Sequence, residues 1–232
     1  MTYKANFKIV IGGFTLAEVL ITLGIIGIVA AMTLPTVINN AQKKAPASRV
    51  HKFYNTMNNA LLRSIADHDD VKYWMPEQKV FSYDQNLDFL KIYILPYIKY
   101  NHYEPCNGSG GYSRACCVYL PEGLMVFLVD VNGGDIGYYP NGKIKVTTRN
   151  YFAFQFNKKE GFDTNGKPIK RLNNKTTIEP YTFNWDGKYE SLTSTTNSWG
   201  CNKLNKGKAG SFGYCTKLLQ LNNWEITKDY PW

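Results

Sequence analysis

Hydrophobic and polar positions divide the chain into stretches with three different rhythms. From Phe14 to Leu34 the run FTLAEVLITLGIIGIVAAMTL has no polar face, and its one charge is Glu18. A helix rising 1.5 Å per residue would carry these residues over roughly 31 Å, about the thickness of a bilayer's hydrocarbon core. Beyond Pro35 the rhythm becomes helical. Val50, Phe53, Tyr54, Met57, Leu61 and Ile65 recur at steps of three and four between polar and basic residues, which predicts an amphipathic continuation of the same helix. One long helix is therefore expected over 14–66, with 14–34 as its membrane-spanning part. Lys43, Lys44, Arg49 and Lys52 should face solvent or neighbouring subunits. Pro46 argues for a break or bend between Asn39 and Ser48, because proline removes a helical hydrogen bond and clashes with the preceding turn. The acidic run at Asp67 to Asp70 marks the stop, with His68 read as a solvated helix end and not as a metal ligand.

A shorter helix follows. Ser82-Tyr-Asp-Gln85 has the spacing of a capping box, Leu87, Leu90, Tyr93 and Ile94 fall on one face, and Pro96 ends the pattern. The period then shortens to that of strands. Val118–Leu120, Leu124–Val131 and Tyr151–Phe156 are aromatic and β-branched runs, and Asn-Gly steps at Asn107, Asn132, Asn141 and Asn165 favour tight turns. Together these predict an α+β domain over 67–232, with an antiparallel sheet of about four strands laid against the long helix. The region from Lys158 to Asn205, rich in Asn, Thr, Gly and Lys, reads as loop-rich surface. Ser211 to Ile226 reads as a short turn of helix and then a strand bearing Trp224, a residue expected to anchor the core.

Charge gives the long apolar run a direction. The thirteen residues before it, MTYKANFKIVIGG, hold Lys4 and Lys8 and no acid. By the positive-inside rule they stay in the cytoplasm, and everything after Pro35 crosses the membrane. An ordinary secretory signal, cut at Val29-Ala30-Ala31, or a plain anchor would have the same outline. Neither explains Glu18, since a carboxylate inside an apolar span is costly and usually marks function.

The junction Gly13-Phe14-Thr15-Leu16-Ala17-Glu18 resembles the class III leader of type IV pilins and type II secretion pseudopilins, in which Gly precedes a cut followed by Phe-Thr-Leu-x-Glu and an apolar helix. The likeness covers Gly13 to about Asn40. It implies residues 1–13 as a leader, cleavage between Gly13 and Phe14 by a prepilin peptidase, and methylation of the new Phe14 amine. It gives Glu18 a role in assembly, its carboxylate pairing with the N-terminal amine of a neighbouring subunit, and it places Pro35 where such helices commonly kink or melt. A pilin-like fold is implied, with partners in its own copies, other pilin-like subunits, membrane assembly machinery and inner-membrane lipid. The implied location is the bacterial inner membrane, single-pass with the C-terminal domain outside the cytoplasm, and then a pilus or pseudopilus. The rival function is a membrane-anchored or secreted binding protein that uses the apolar segment for export.

All five cysteines, Cys106, Cys116, Cys117, Cys201 and Cys215, lie on the side expected to be oxidising. Cys201 with Cys215 would close a C-terminal loop, and Cys106 with Cys116 or Cys117 a Gly-rich one. Neighbours in a strand point to opposite faces, so only one of Cys116 and Cys117 suits a given partner. Their spacings do not match zinc-finger patterns. Some pseudopilins hold calcium, and Asp130, Asn132 and Asp135 are the candidates here. The loop departs from an EF-hand at Gly134 and Asn141, and turn chemistry explains it without an ion.

No cofactor is expected. The three histidines, His51, His68 and His102, are scattered, and no nucleophile or phosphate-loop signature stands out, so no enzyme is read from the chain. The formal charge of +9 becomes +7 if Lys4 and Lys8 are removed, with 25 basic against 18 acidic side chains. A basic filament attracts polyanions, so DNA is a candidate partner.

Overall fold

The computed structural model describes residues 13–74, 80–107, 114–130, 133–156, 161–162, 168–169, 177–208 and 210–232. Helix α1 spans Leu16–His68. The chain divides into two compact units, one ending at Gln42 and one covering Lys43–Trp232. The part of α1 from Lys43 onward thus falls in the second unit.

In that unit Ala47, Val50, Phe53, Met57, Ala60, Leu61 and Ser64 are the buried positions of α1. Their spacing is the stripe of an amphipathic helix packed on a core. Phe53 stacks on Tyr138 with ring centroids 4.2 Å apart and meets Phe154 at 5.4 Å. Burying a side chain of that size is worth roughly 1.5–3 kcal/mol. The break expected at Pro46 is absent, for α1 is helical through both Pro35 and Pro46. Ala47 and Val50 are buried directly after Pro46, and their packing outweighs the hydrogen bond that proline lacks. The helix ends with Asp69 in a left-handed conformation, φ 65°, a common way to close a helix.

Helix α2 spans Tyr83–Tyr93, and the capping box at its start is formed. The Ser82 hydroxyl accepts from the Gln85 backbone N–H at 3.3 Å while the Gln85 side chain accepts from the Ser82 N–H at 2.9 Å. Buried Asn86 ties the helix to the sheet. Its amide donates to the Arg114 carbonyl at 3.0 Å, and its oxygen accepts from the Val129 N–H at 2.9 Å.

The main sheet has six antiparallel strands: β1 (His102–Cys106), β2 (Ala115–Leu120), β3 (Gly123–Asp130), β4 (Gly133–Tyr139), β5 (Phe152–Phe156) and β8 (Ile178–Pro180), in the order β1-β2-β3-β4-β5-β8. Two short strands, β6 (Gly161–Phe162) and β7 (Pro168–Ile169), pair separately. Central β3 shows strand alternation plainly. Met125, Phe127 and Val129 join the large core with α1 and α2, while Leu124, Val126 and Leu128 join a smaller cluster with Ala115, Cys117 and Tyr139. About four strands were expected and three were placed in the sequence, β2, β3 and β5; the sheet reaches six because β1 and β8 flank these and β4 pairs inside them.

Helix α3 spans Cys215–Leu221. The strand expected at Trp224 is instead a turn, with Asn223 and Trp224 both at positive φ. Trp224 still reaches the core edge, 5.0 Å from the rings of both His51 and Tyr54. The described part of Lys158 to Asn205 is rich in loops, as expected, but it is not all surface, for Ile178, Leu192, Cys201 and Asn205 are buried. Asn205 acts as a bracket, its amide donating to the carbonyls of Ser194, Asn197 and Gly200 at 2.9–3.0 Å.

Candidate functional site

Two places deserve comparison as candidate sites, and each is built within a single unit. The first is the start of α1. Gly13 and Phe14 lie just ahead of the helix and both are exposed, Phe14 at 88%. Thr15 and Glu18 make a second capping box. The Thr15 N–H and hydroxyl each donate to Glu18 Oε2 at 2.8 Å, and the Glu18 N–H donates to Thr15 Oγ1 at 3.2 Å. The sequence held this signal in Thr15-Leu-Ala-Glu18, whose spacing is that of a capping box. The carboxylate therefore already satisfies orphan donors of its own helix end.

The polar side chains farther along are also satisfied locally. Thr22 donates to the carbonyls of Glu18 and Val19 at 2.9 and 3.0 Å, and Thr33 to that of Val29 at 2.9 Å. Thr22 and Thr33 are the polar side chains between Val19 and Pro35. Its apolar side chains, from Phe14 through Leu20, Ile25, Val29 and Leu34 to Ile38, are all exposed around the full circumference. The helix has a mean hydropathy of 2.2 in its most apolar 18-residue window and none of that window is buried, so it is long and apolar enough to cross a membrane. A helix apolar all round calls for lipid or other helices as its surroundings. Pro35 sits inside this stretch without ending it.

The second place is a hollow at one end of the sheet, illegible in the sequence because its walls come from distant segments. Two adjoining cavities of about 430 and 350 Å³ share Arg49, Leu120, Pro121 and Glu122. Here Arg49 and Lys52, exposed as expected, also reach across to turns of the sheet. Arg49 Nη1 donates to the Pro140 carbonyl at 3.0 Å, and Lys52 Nζ meets Glu122 Oε1 at 2.7 Å. Gly123, which closes the β2–β3 turn, has φ 121°, and a Cβ there would stand 2.7 Å from the Tyr139 carbonyl oxygen. Only glycine fits that turn.

The cysteines form two disulfides, Cys106–Cys117 and Cys201–Cys215, with Cα separations of 5.7 and 4.6 Å. Cys117 is thus the partner for Cys106, and Cys116 is a buried free thiol on the opposite face, with burial pushing its pKa up to about 11. A thiol held protonated in this way is a poor nucleophile. Of the calcium candidates, Asn132 lies outside the described residues. Asp130 pairs with Gly133 in the β3–β4 register, and Asp135 pairs with Leu128 and with Gln155 in β4. Among the described residues no group of His, Cys, Asp or Glu is gathered as a metal site. His68 lies near Tyr93 and Tyr97, His51 stacks on Trp224, and His102 stacks on Tyr119. The leader before Gly13, with Lys4 and Lys8, lies outside the described residues.

Neither a curated protein nor a solved structure matches the chain. A family match begins just past Pro35, beyond the junction that carries the pilin resemblance, and runs to the last residue. Over residues 36–232 the chain belongs to a family of unknown function, DUF6613.

Proposed function

We propose that the chain is a pilin or pseudopilin, exported and polymerised through the first half of α1 into a type IV pilus or a type II secretion pseudopilus. The observation that carries the reading is the segment from Phe14 to Ile38, apolar on every side, exposed along its length, and carrying one acid at its very start. Such a surface is stable only in lipid or against other helices, and a filament core made of copies of this helix supplies the second of these. In this reading the subunit waits in the inner membrane with its disulfide-bonded domain outside the cytoplasm, where both disulfides persist. Prepilin peptidase cuts between Gly13 and Phe14, and Glu18 receives the methylated Phe14 amine of a neighbour, a pairing that would offset the burial of its charge.

A second reading has its own support. The Thr15–Glu18 capping box accounts for the acid without any neighbour, as it would in a protein that uses the helix only as an export anchor. Mass spectrometry of the mature chain separates the two. A polypeptide starting at methylated Phe14 is expected for a filament subunit. One starting at Met32, or still carrying the leader, would contradict it.

A further inference from the structure

Two basic segments build the end of the globular unit at which α1 enters it. Residues 43–52 of α1 carry Lys43, Lys44, Arg49 and Lys52 and no acid, and the loop from Pro140 to Asn150, between β4 and β5, carries Lys143, Lys145 and Arg149 and no acid. Two contacts bring the segments together. Tyr138 of β4 stacks on Phe53, and the Pro140 carbonyl accepts from Arg49, one helical turn nearer the start of the unit. β4 thus runs toward the Lys43 end of α1 and passes the chain to the loop there.

The loop has a fixed shape. Buried Asn150 accepts from the Asn141 N–H at 3.0 Å and donates to the carbonyls of Lys143 and Lys145 at 2.9 and 3.4 Å. Outside this bracket Lys143, Ile144 and Lys145 are exposed, Ile144 at 43%. An aliphatic tip is therefore presented between two lysines without the cost of ordering it on contact. On the next flank Arg149 lies over the Trp232 ring, 4.7 Å from its centroid. The C-terminal segment is tied on through Tyr230, which donates to the Thr148 carbonyl, and through Thr148, which donates to that of Pro231.

Acids leave the charge of this end uncancelled. Glu122 is engaged by Lys52, the Trp232 main-chain oxygen is taken by Lys203, and the C-terminal segment adds Glu225 and Asp229 with Lys228 between them. Four cations on α1, three on the loop and Lys228 make eight, against three acidic side chains. The partner must therefore be anionic, and it must also admit Ile144. A nucleic acid offers phosphates to the lysines but little to an aliphatic tip, whereas a headgroup layer accepts both, the lysine stems lying along its apolar boundary. Such a layer is also within reach. Nine residues lead from Leu34 to Lys43, at most about 30 Å of chain even fully extended, so this end stays near any bilayer that the first half of α1 crosses.

We infer that this end of the globular unit docks on an anionic phospholipid surface, that of the membrane α1 enters, with Lys44, Lys143 and Lys145 at the phosphates and Ile144 among the headgroups. The inference rests on the membrane placement in the proposed function and not on the filament. It holds the domain of a waiting subunit against the bilayer, through a contact that salt weakens.

Full-length chains reconstituted in vesicles test this by fluorescence. A probe on Ile144→Cys is compared with the same probe on Leu62→Cys, an exposed position about 20 Å from Arg49 along α1. Both positions are exposed, so both chains should fold, and Cys116 is buried and stays unlabelled. The vesicles are phosphatidylcholine alone, or phosphatidylcholine and phosphatidylglycerol in equal parts, each with a quencher linked to a headgroup. Quenching at Ile144 several-fold above that at Leu62, with phosphatidylglycerol only, is expected. Lys143→Glu together with Lys145→Glu should cut it several-fold, as should added salt. Chains that float with the vesicles but show both probes quenched alike would overturn the docking and leave the membrane reading standing. Quenching equal in the two lipids would overturn recognition by charge. A labelled oligonucleotide held by the same chains, with no effect of phosphatidylglycerol at Ile144, would give this face to a nucleic acid instead. Chains that fail to float with the vesicles would count against the membrane reading and the docking together.

Discussion

The two halves of α1 share one helix and almost nothing else. From Ala47 to Ser64 the apolar positions make a stripe, and the sheet covers it. From Phe14 to Ile38 they make a full cylinder, exposed all round among the described residues. In the first case the sequence encodes its own partner, so the stripe is read as fold. In the second the partner must come from outside, and the surplus of exposed apolar surface is read as function. The difference lies in angular width: a stripe of about 100° needs one neighbour, and a complete cylinder needs lipid or several helices.

Core truncation should separate the halves most sharply. Phe53→Ala removes a ring stacked on Tyr138 and is expected to cost about 3–5 kcal/mol of domain stability by denaturant unfolding in detergent. Ile25→Ala, in the uncovered half, should shift the same transition by less than about 0.5 kcal/mol. Equal losses would mean that the first half is part of the folding unit after all. Next in size is the C-terminal disulfide. Replacing Cys201 and Cys215 together by Ser is expected to lower stability by about 2–4 kcal/mol, because the bridge closes a loop of 14 residues. Loss of this bridge should leave membrane insertion untouched.

Alkali should act on the packed half alone. Burial pushes the Tyr214 hydroxyl up to about 12 and raises those of Tyr138 and Tyr230 still further. In the unfolded chain a tyrosine titrates near 10. The folded state therefore keeps protons that the unfolded state loses. The contribution from Tyr214 is fully present below about pH 10 and fades as pH rises through about 12. Unfolding midpoints should accordingly fall between these values, and Tyr214→Phe should flatten that fall. An unchanged slope in the variant would show that Tyr214 does not titrate in this range.

What the sequence disclosed follows the same division. Both halves of α1 were legible because a cylinder and a stripe are patterns of hydrophobicity alone, and α2 was legible through Ser82 and Gln85. Cys116 and Cys117 could be assigned to opposite faces but not to a partner, since strand alternation fixes direction and not register. β4 escaped because Gly133, Gly134 and Gly137 dilute its pattern. These glycines lie close to large rings, Gly134 against Phe156 and Gly137 against Tyr151 and Tyr139. β1 carries Pro105, which suits an edge strand but hides it from propensity. The turn at Trp224 depends on two positive φ angles that its residues do not advertise. At the candidate site Glu18 stood out by its charge, whereas Thr15 was missed as its partner although Thr15-Leu-Ala-Glu18 has the spacing of a capping box. The hollow near Arg49 could not be seen at all, because α1, Tyr97 to Lys99 and the β2–β3 turn meet only in the fold.

Glu18 carries both meanings at once, as helix cap and as charge, and one substitution divides them. Glutamine serves the third position of a capping box as well as glutamate does, so Glu18→Gln keeps the bond to Thr15 and removes the charge. Filaments counted by electron microscopy, alongside the mass of the mature chain, should show normal cleavage after Gly13 and a loss of assembly. Filaments at the parental number from the same variant would mean that Glu18 is a cap and nothing more.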